Sequence, residues 1–165
     1  MIPNNDLATG AAEYGAVDAV EESSERRRTL RSLLERVKGL SGPDRDVDRA
    51  VLDALETPNL GWGSIWPASV TWDSTDEGKW AAPLSASLDA VVALCERLVP
   101  DYRWHLANRD YVDGVYQGDG FGAWLEHPVS SGGGPDWHAH GATPALALLA
   151  ALLSALVESH SEVAL

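Results

Sequence analysis

The chain has 165 residues and a formal net charge of −13, with seven tryptophans and four tyrosines against a single phenylalanine. That length fits one domain able to bury a substantial core. The acidity argues against a nucleic-acid polymer or an anionic membrane surface as partner, since both need a basic footprint, and it leaves a small anion admissible where a local pocket overrides the global field.

Residues 1–24 are acidic, rich in small residues and without hydrophobic period. Asp6, Glu13, Asp18, Glu21 and Glu22 fall there, Glu25 follows, and the first base is Arg26. Such a stretch is expected as a disordered tail, with a weak amphipathic turn around 14–20, and the single folded domain is expected over 25–165. No basic-then-apolar leader pattern is visible.

From Glu25 the pattern sharpens. Leu30, Leu33, Leu34, Val37 and Leu40 recur at helical spacing, and Gly39, Ser41 and Gly42 punctuate the end. Pro43 and Asp44 open a second helix, with Val47, Ala50, Val51, Ala54 and Leu55 on one face and Thr57-Pro58-Asn59 as its stop. Residues 25–57 therefore read as a helical hairpin. Residues 58–83 form a segment rich in Trp, Gly and Pro, with a possible first strand over 69–73 and a polar turn over 73–78.

The remainder, 84–165, reads as the core of the domain. Ser85 is the expected N-cap of a third helix carrying Leu88, Val91, Val92, Cys95, Leu98 and Val99, ended by Pro100. A meander follows. Tyr102, Trp104 and Leu106 alternate with Arg103, His105 and Ala107 in a first strand; Asn108-Arg109-Asp110 is an expected turn. A second strand spans 111–117, Gly118-Asp119-Gly120 is an expected hairpin, and a third strand covers 121–127. Pro128 closes it, and a glycine-rich loop over 129–141 leads to the last helix. Thr143 is its N-cap and Pro144 its first residue, a position where the missing donor costs nothing. The run from Ala145 to Leu153 is apolar all round, so it must be buried all round; it is expected to serve as core centre and subunit interface together. The fold class is α+β: a small antiparallel sheet flanked by helices as an α-β-α sandwich, preceded by the helical hairpin.

The cysteine count also bears on chemistry. With Cys95 alone, an intramolecular disulfide framework and a cysteine-based zinc site are excluded, and a reducing, cytoplasmic setting is expected. Metal-type ligands gather only at Asp136, His138 and His140 with His127 upstream, in an order that fits no zinc pattern, so no metal is expected. Trp137 beside these histidines offers ring stacking, and the helix start at Thr143 offers exposed N–H groups to an anion. Arg103 and Arg109 can grip phosphate bidentately. Nucleophilic catalysis finds no support: there is no Gly-x-Ser-x-Gly elbow, and Cys95 lies on a buried helix stripe. No catalytic residue and no cofactor are expected. The candidate ligand set is Arg103, Arg109, Trp137, His138, His140 and Thr143.

Three segments carry a family resemblance: Pro83-Leu84-Ser85-Ala86-Ser87-Leu88-Asp89-Ala90, then Ala142-Thr143-Pro144-Ala145-Leu146-Ala147-Leu148, and upstream Ser41-Gly42-Pro43-Asp44-Arg45. Together, over residues 26–160, they resemble the ABA-sandwich family of small phage and prophage proteins. The resemblance implies a helix–sheet–helix sandwich that assembles as a homo-oligomer. It also implies kinship with anti-defence sponges, which hold cyclic nucleotide-type immune signals without cleaving them and so starve a Thoeris-like effector. Residues 1–24 and 58–83 depart from the family's short form, and the resemblance assigns no ligand residues here. The expected function is a non-enzymatic phage binding protein that sequesters a small nucleotide-type signal. The alternatives are an acidic inhibitor or adaptor docking on a basic host protein, and a hydrolase or metal enzyme using His138.

Overall fold

The computed structural model describes residues 10–55, 73–74, 80–112, 115–126 and 137–159. Its elements are α1 (Gly10–Lys38), α2 (Arg45–Ala54), β1 (Asp73–Ser74), β2 (Trp80–Ala81), α3 (Leu88–Leu98), β3 (Arg103–Val112), β4 (Val115–Glu126), β5 (Trp137–Gly141) and α4 (Pro144–Ser159). Strands β3, β4 and β5 form a three-stranded antiparallel sheet in that order, and β1 and β2 pair as a separate two-stranded ribbon. This is the expected α+β class, a small antiparallel sheet with helices packed against it.

Helix α1 begins well before the expected start at Glu25. Residues 10–24, read from the sequence as part of a disordered tail, are helical; residues 1–9 lie outside the described set. The physical reason is visible in the composition, because Ala11, Ala12, Glu13, Ala16 and Ala19 are good helix formers. Once packing of Leu30, Leu33, Leu34 and Val37 fixes the downstream turns, extending a nucleated helix is cheap. Gly39 ends the helix, its amide donating to the carbonyls of Glu35 and Arg36. Asp44 opens α2 as expected, and it also caps the helix, its carboxylate accepting from the Val47 amide at 3.0 Å.

The α3 cap is not the expected one. Ser87 takes that role, accepting from the Ala90 amide at 3.3 Å. Ser85 is fully buried instead and ties the segment before α3 to α2. Its amide donates to Asp48 Oδ1 at 2.6 Å, and its hydroxyl accepts from the Asp44 amide at 2.9 Å.

The meander is also rearranged. Two long strands replace three short ones: Asn108-Arg109-Asp110 runs within β3, where the pairing register shifts, and Gly118-Asp119-Gly120 runs within β4. The paired strands run as far as Val112 and Val115. The third strand comes from what reads as loop. Residues 137–141 pair with β4 from Phe121↔Gly141 to Leu125↔Trp137. The strand expected at 69–73 and the stop at 57–59 lie outside the described residues, apart from Asp73, which starts β1.

Helix α4 is the centre of the core. Every residue from Leu146 to Leu153 is 0% exposed. It packs on β4 and β5 on one side, while α1 and α3 pack against it too. The chain itself supplies the cover that the sequence reading assigned in part to a neighbouring copy, so the helix's burial requires no second subunit. Burying each leucine contributes about 1.5–3 kcal/mol. Among the described residues no helix is long and apolar enough to cross a membrane.

Candidate ligand-binding face

Residues directly opposite one another on paired strands project from the same sheet face. The register therefore sorts the side chains into two sets. Trp104, Leu125 and Trp137 form one row of the helix-facing side, followed by Leu106, Ala123 and Ala139; Leu125, Trp137, Ala123 and Ala139 are buried there, whereas Trp104 at the edge stays exposed. The opposite face carries Arg103 across from Glu126, then His105, Trp124 and His138 across all three strands, then Ala107, Gly122 and His140.

The middle row is ordered. The His105 and Trp124 rings lie 5.2 Å apart and 7° from parallel, and the Trp124 and His138 rings lie 6.0 Å apart and 12° from parallel. Both spacings are within the range for stacked rings. His105 Nε2 lies 3.2 Å from Glu126 Oε2, with both side chains partly in solvent. Arg103, His138 and His140 are exposed. The two small residues Ala107 and Gly122 leave the row beside His140 low, so the ring row stands as a ridge next to it.

The sequence-derived candidates thus divide. Arg103, His138 and His140 share this face. Trp137 does not: it points into the core, where its indole N–H donates to Glu158 Oε2 at 2.6 Å and its ring lies 5.2 Å from that of Tyr102. Its role is to fasten β5 to the far end of α4. Arg109 lies in β3 at the register shift, with its side chain outside the described set, as are His127 and Asp136.

Thr143 caps α4 as expected, and this largely closes the proposed anion seat. Its hydroxyl accepts from the Leu146 amide at 3.2 Å and its carbonyl from the Ala147 amide at 3.0 Å, while Pro144 has no donor. The backbone of Gly141 also lies directly over this first turn, where a Cβ would sit 2.5 Å from the Ala147 nitrogen. Two members of the face were missed as site residues, His105 and Trp124. Their signal was the alternation that placed His105 in phase with Arg103, but Trp124 joins them only once the β3–β4 register is known.

Among the described residues no group of three or more His, Cys, Asp and Glu side chains is placed to hold a metal ion. Burial, with a smaller contribution from Glu96, pushes the Cys95 thiol up to about 12, so it stays protonated and inert near neutrality. No protein-family model, curated protein or solved structure matches the chain.

Proposed function

We propose that the chain is a non-catalytic binding protein that holds a small nucleotide-type ligand on the outer face of its sheet. The observation that carries this reading is the parallel row His105–Trp124–His138 with Arg103 and His140 on its two sides. In a chain of net charge −13, this face gathers three imidazoles and a guanidinium against one carboxylate, Glu126, among the described residues. Aromatic faces and cationic donors together suit a ligand with a ring and a phosphate. The resemblance to phage ABA-sandwich proteins supports the finer reading: an anti-defence sponge of phage or prophage origin, working as a homo-oligomer in the host cytoplasm and sequestering an immune signal.

Calorimetry with cyclic ADP-ribose isomers and cyclic oligonucleotides tests it. Binding followed by recovery of intact ligand from the denatured complex supports a sponge. Altered ligand indicates an enzyme, and no binding of any of them overturns the reading.

The helical state of residues 10–24 favours one second reading, an acidic inhibitor or adaptor. Glu13, Asp18, Glu21, Glu22 and Glu25 belong to one helix, so this acidic segment would dock on a basic host protein with less ordering cost than a flexible tail. It requires that deleting residues 1–24 abolish binding and that affinity fall steeply with salt; a sheet-face site is indifferent to the deletion.

A further inference from the structure

Both faces of the Trp124 ring are already covered by near-parallel imidazoles. An added base can stack only on the far side of His105 or His138, so the indole is not a free platform. What the row offers a ligand instead is imidazole nitrogen. A neutral imidazole has one donor and one acceptor, whereas a protonated one has two donors and a charge.

The charged and titratable side chains on this face among the described residues are Arg103 and His105 from β3, Glu126 from β4, and His138 and His140 from β5. With the imidazoles neutral, Arg103 and Glu126 offset one another. With them protonated, the face becomes a cluster of positive charge on an acidic protein. Protonated imidazoles on the two faces of one indole also gain a cation–π attraction, so the row holds together when charged.

We infer, resting on the reading of this face as a nucleotide site, that it grips its ligand through phosphate rather than base, by protonated His105, His138 and His140 with Arg103. Uptake is therefore proton-gated: the ligand binds in mild acid and is released above neutrality. Glu126, hydrogen-bonded to His105, competes with the phosphate for that imidazole.

The probes are ADP and adenosine, titrated calorimetrically into the full chain at pH 5.5 and pH 8.0. ADP is expected to bind about tenfold or more tightly at the lower pH, with adenosine weak at both. His138→Gln, an exposed substitution, should reduce that gain and the double variant His105→Gln/His138→Gln should remove most of it, while circular dichroism stays unchanged; Glu126→Gln should tighten ADP binding at pH 5.5. ADP bound equally at both pH values, or adenosine bound as well as ADP, overturns the gating and leaves a nucleotide face standing. ADP failing to bind at pH 5.5 also overturns it, and the binding reading then rests on the cyclic ligands alone.

Discussion

The backbone amide of Ser85 donates to the fully buried carboxylate of Asp48 at 2.6 Å, across 37 residues of sequence. Arg45 lies 3.3 Å from the other carboxylate oxygen. The pair joins α2 to the entrance of α3 and shields a carboxylate that the core would otherwise reject. Burial nevertheless dominates, holding the Asp48 carboxyl above its usual value of 3.8 against the opposing pull of Ser85 and Arg45.

A pH-dependent signature follows from that raised value. The folded state holds this proton more tightly than the unfolded chain does. Asp48's contribution to stability is therefore greatest below about pH 3.8, and it declines as pH rises through the folded-state value. Urea unfolding of wild type and Asp48→Asn across pH 3–7 should show the variant gaining relative to wild type over that rise, then holding a constant difference. Asp48→Ala, which strips the buried Ser85 amide of its acceptor, should be destabilised by about 1–3 kcal/mol at neutral pH.

Helix α4 should behave as a core helix in a single chain. Leu149→Ala and Leu152→Ala each leave a cavity at a fully buried site and should cost about 2–5 kcal/mol in chemical denaturation. The loss should not depend on protein concentration, as it would if the helix were covered by a second copy.

Gly141 permits β5 to run onto the start of α4. A Cβ there would sit 2.5 Å from the Ala147 nitrogen and 2.8 Å from the Leu146 carbonyl carbon, both backbone atoms that cannot swing aside. Gly141→Ala should lower stability by about 1–3 kcal/mol, measured as a fall in Tm, whereas Gly42→Ala, with open space around its Cβ position, should change it far less.

Trp137 and His138 are neighbours in sequence with opposite assignments. Trp137→Phe removes the donor to Glu158 and should destabilise by about 1–3 kcal/mol, yet leave the affinity for a ligand on the outer face unchanged. His138→Gln should do the reverse. Paired denaturation and calorimetry on the two variants separate the faces; a Trp137→Phe variant that loses binding at full stability would contradict the assignment.

Much of the helical framework was legible in the residues. The apolar spacing of Leu30 to Val37 and of Val47 to Leu55, the helix opening at Pro43-Asp44, and the Thr143-Pro144 start with its all-apolar continuation each encode local physics that the fold keeps. The sheet was read less well, because its register depends on partners far along the chain. The turn residues of 108–110 and 118–120 outweighed the cross-strand pairing that keeps both segments within long strands. The glycines at 132–134 masked the alternation of Trp137, Ala139 and Gly141 with His138 and His140 that marks β5. The error at Ser85 was of another kind: two serines two residues apart can both cap, and only the long-range demand of Asp48 decides between them. For the candidate face, Arg103, His138 and His140 were found by residue type. Trp137 was misassigned because neighbours on a strand point oppositely, and this is invisible until the segment is known to be a strand.

The unequal lengths of the sheet's strands carry one more consequence. β5 meets β4 only from Phe121 to Leu125, whereas β3 accompanies β4 from its beginning at Val115. Along one continuous hairpin, backbone protection should therefore be graded. A two-stranded ladder is marginal by itself, so the end nearest Val112 and Val115 should breathe first, and the unzipping should halt where Phe121 gains its second neighbour. The β3–β4 pair thus resembles a cantilever, anchored beneath the His105–Trp124–His138 ridge.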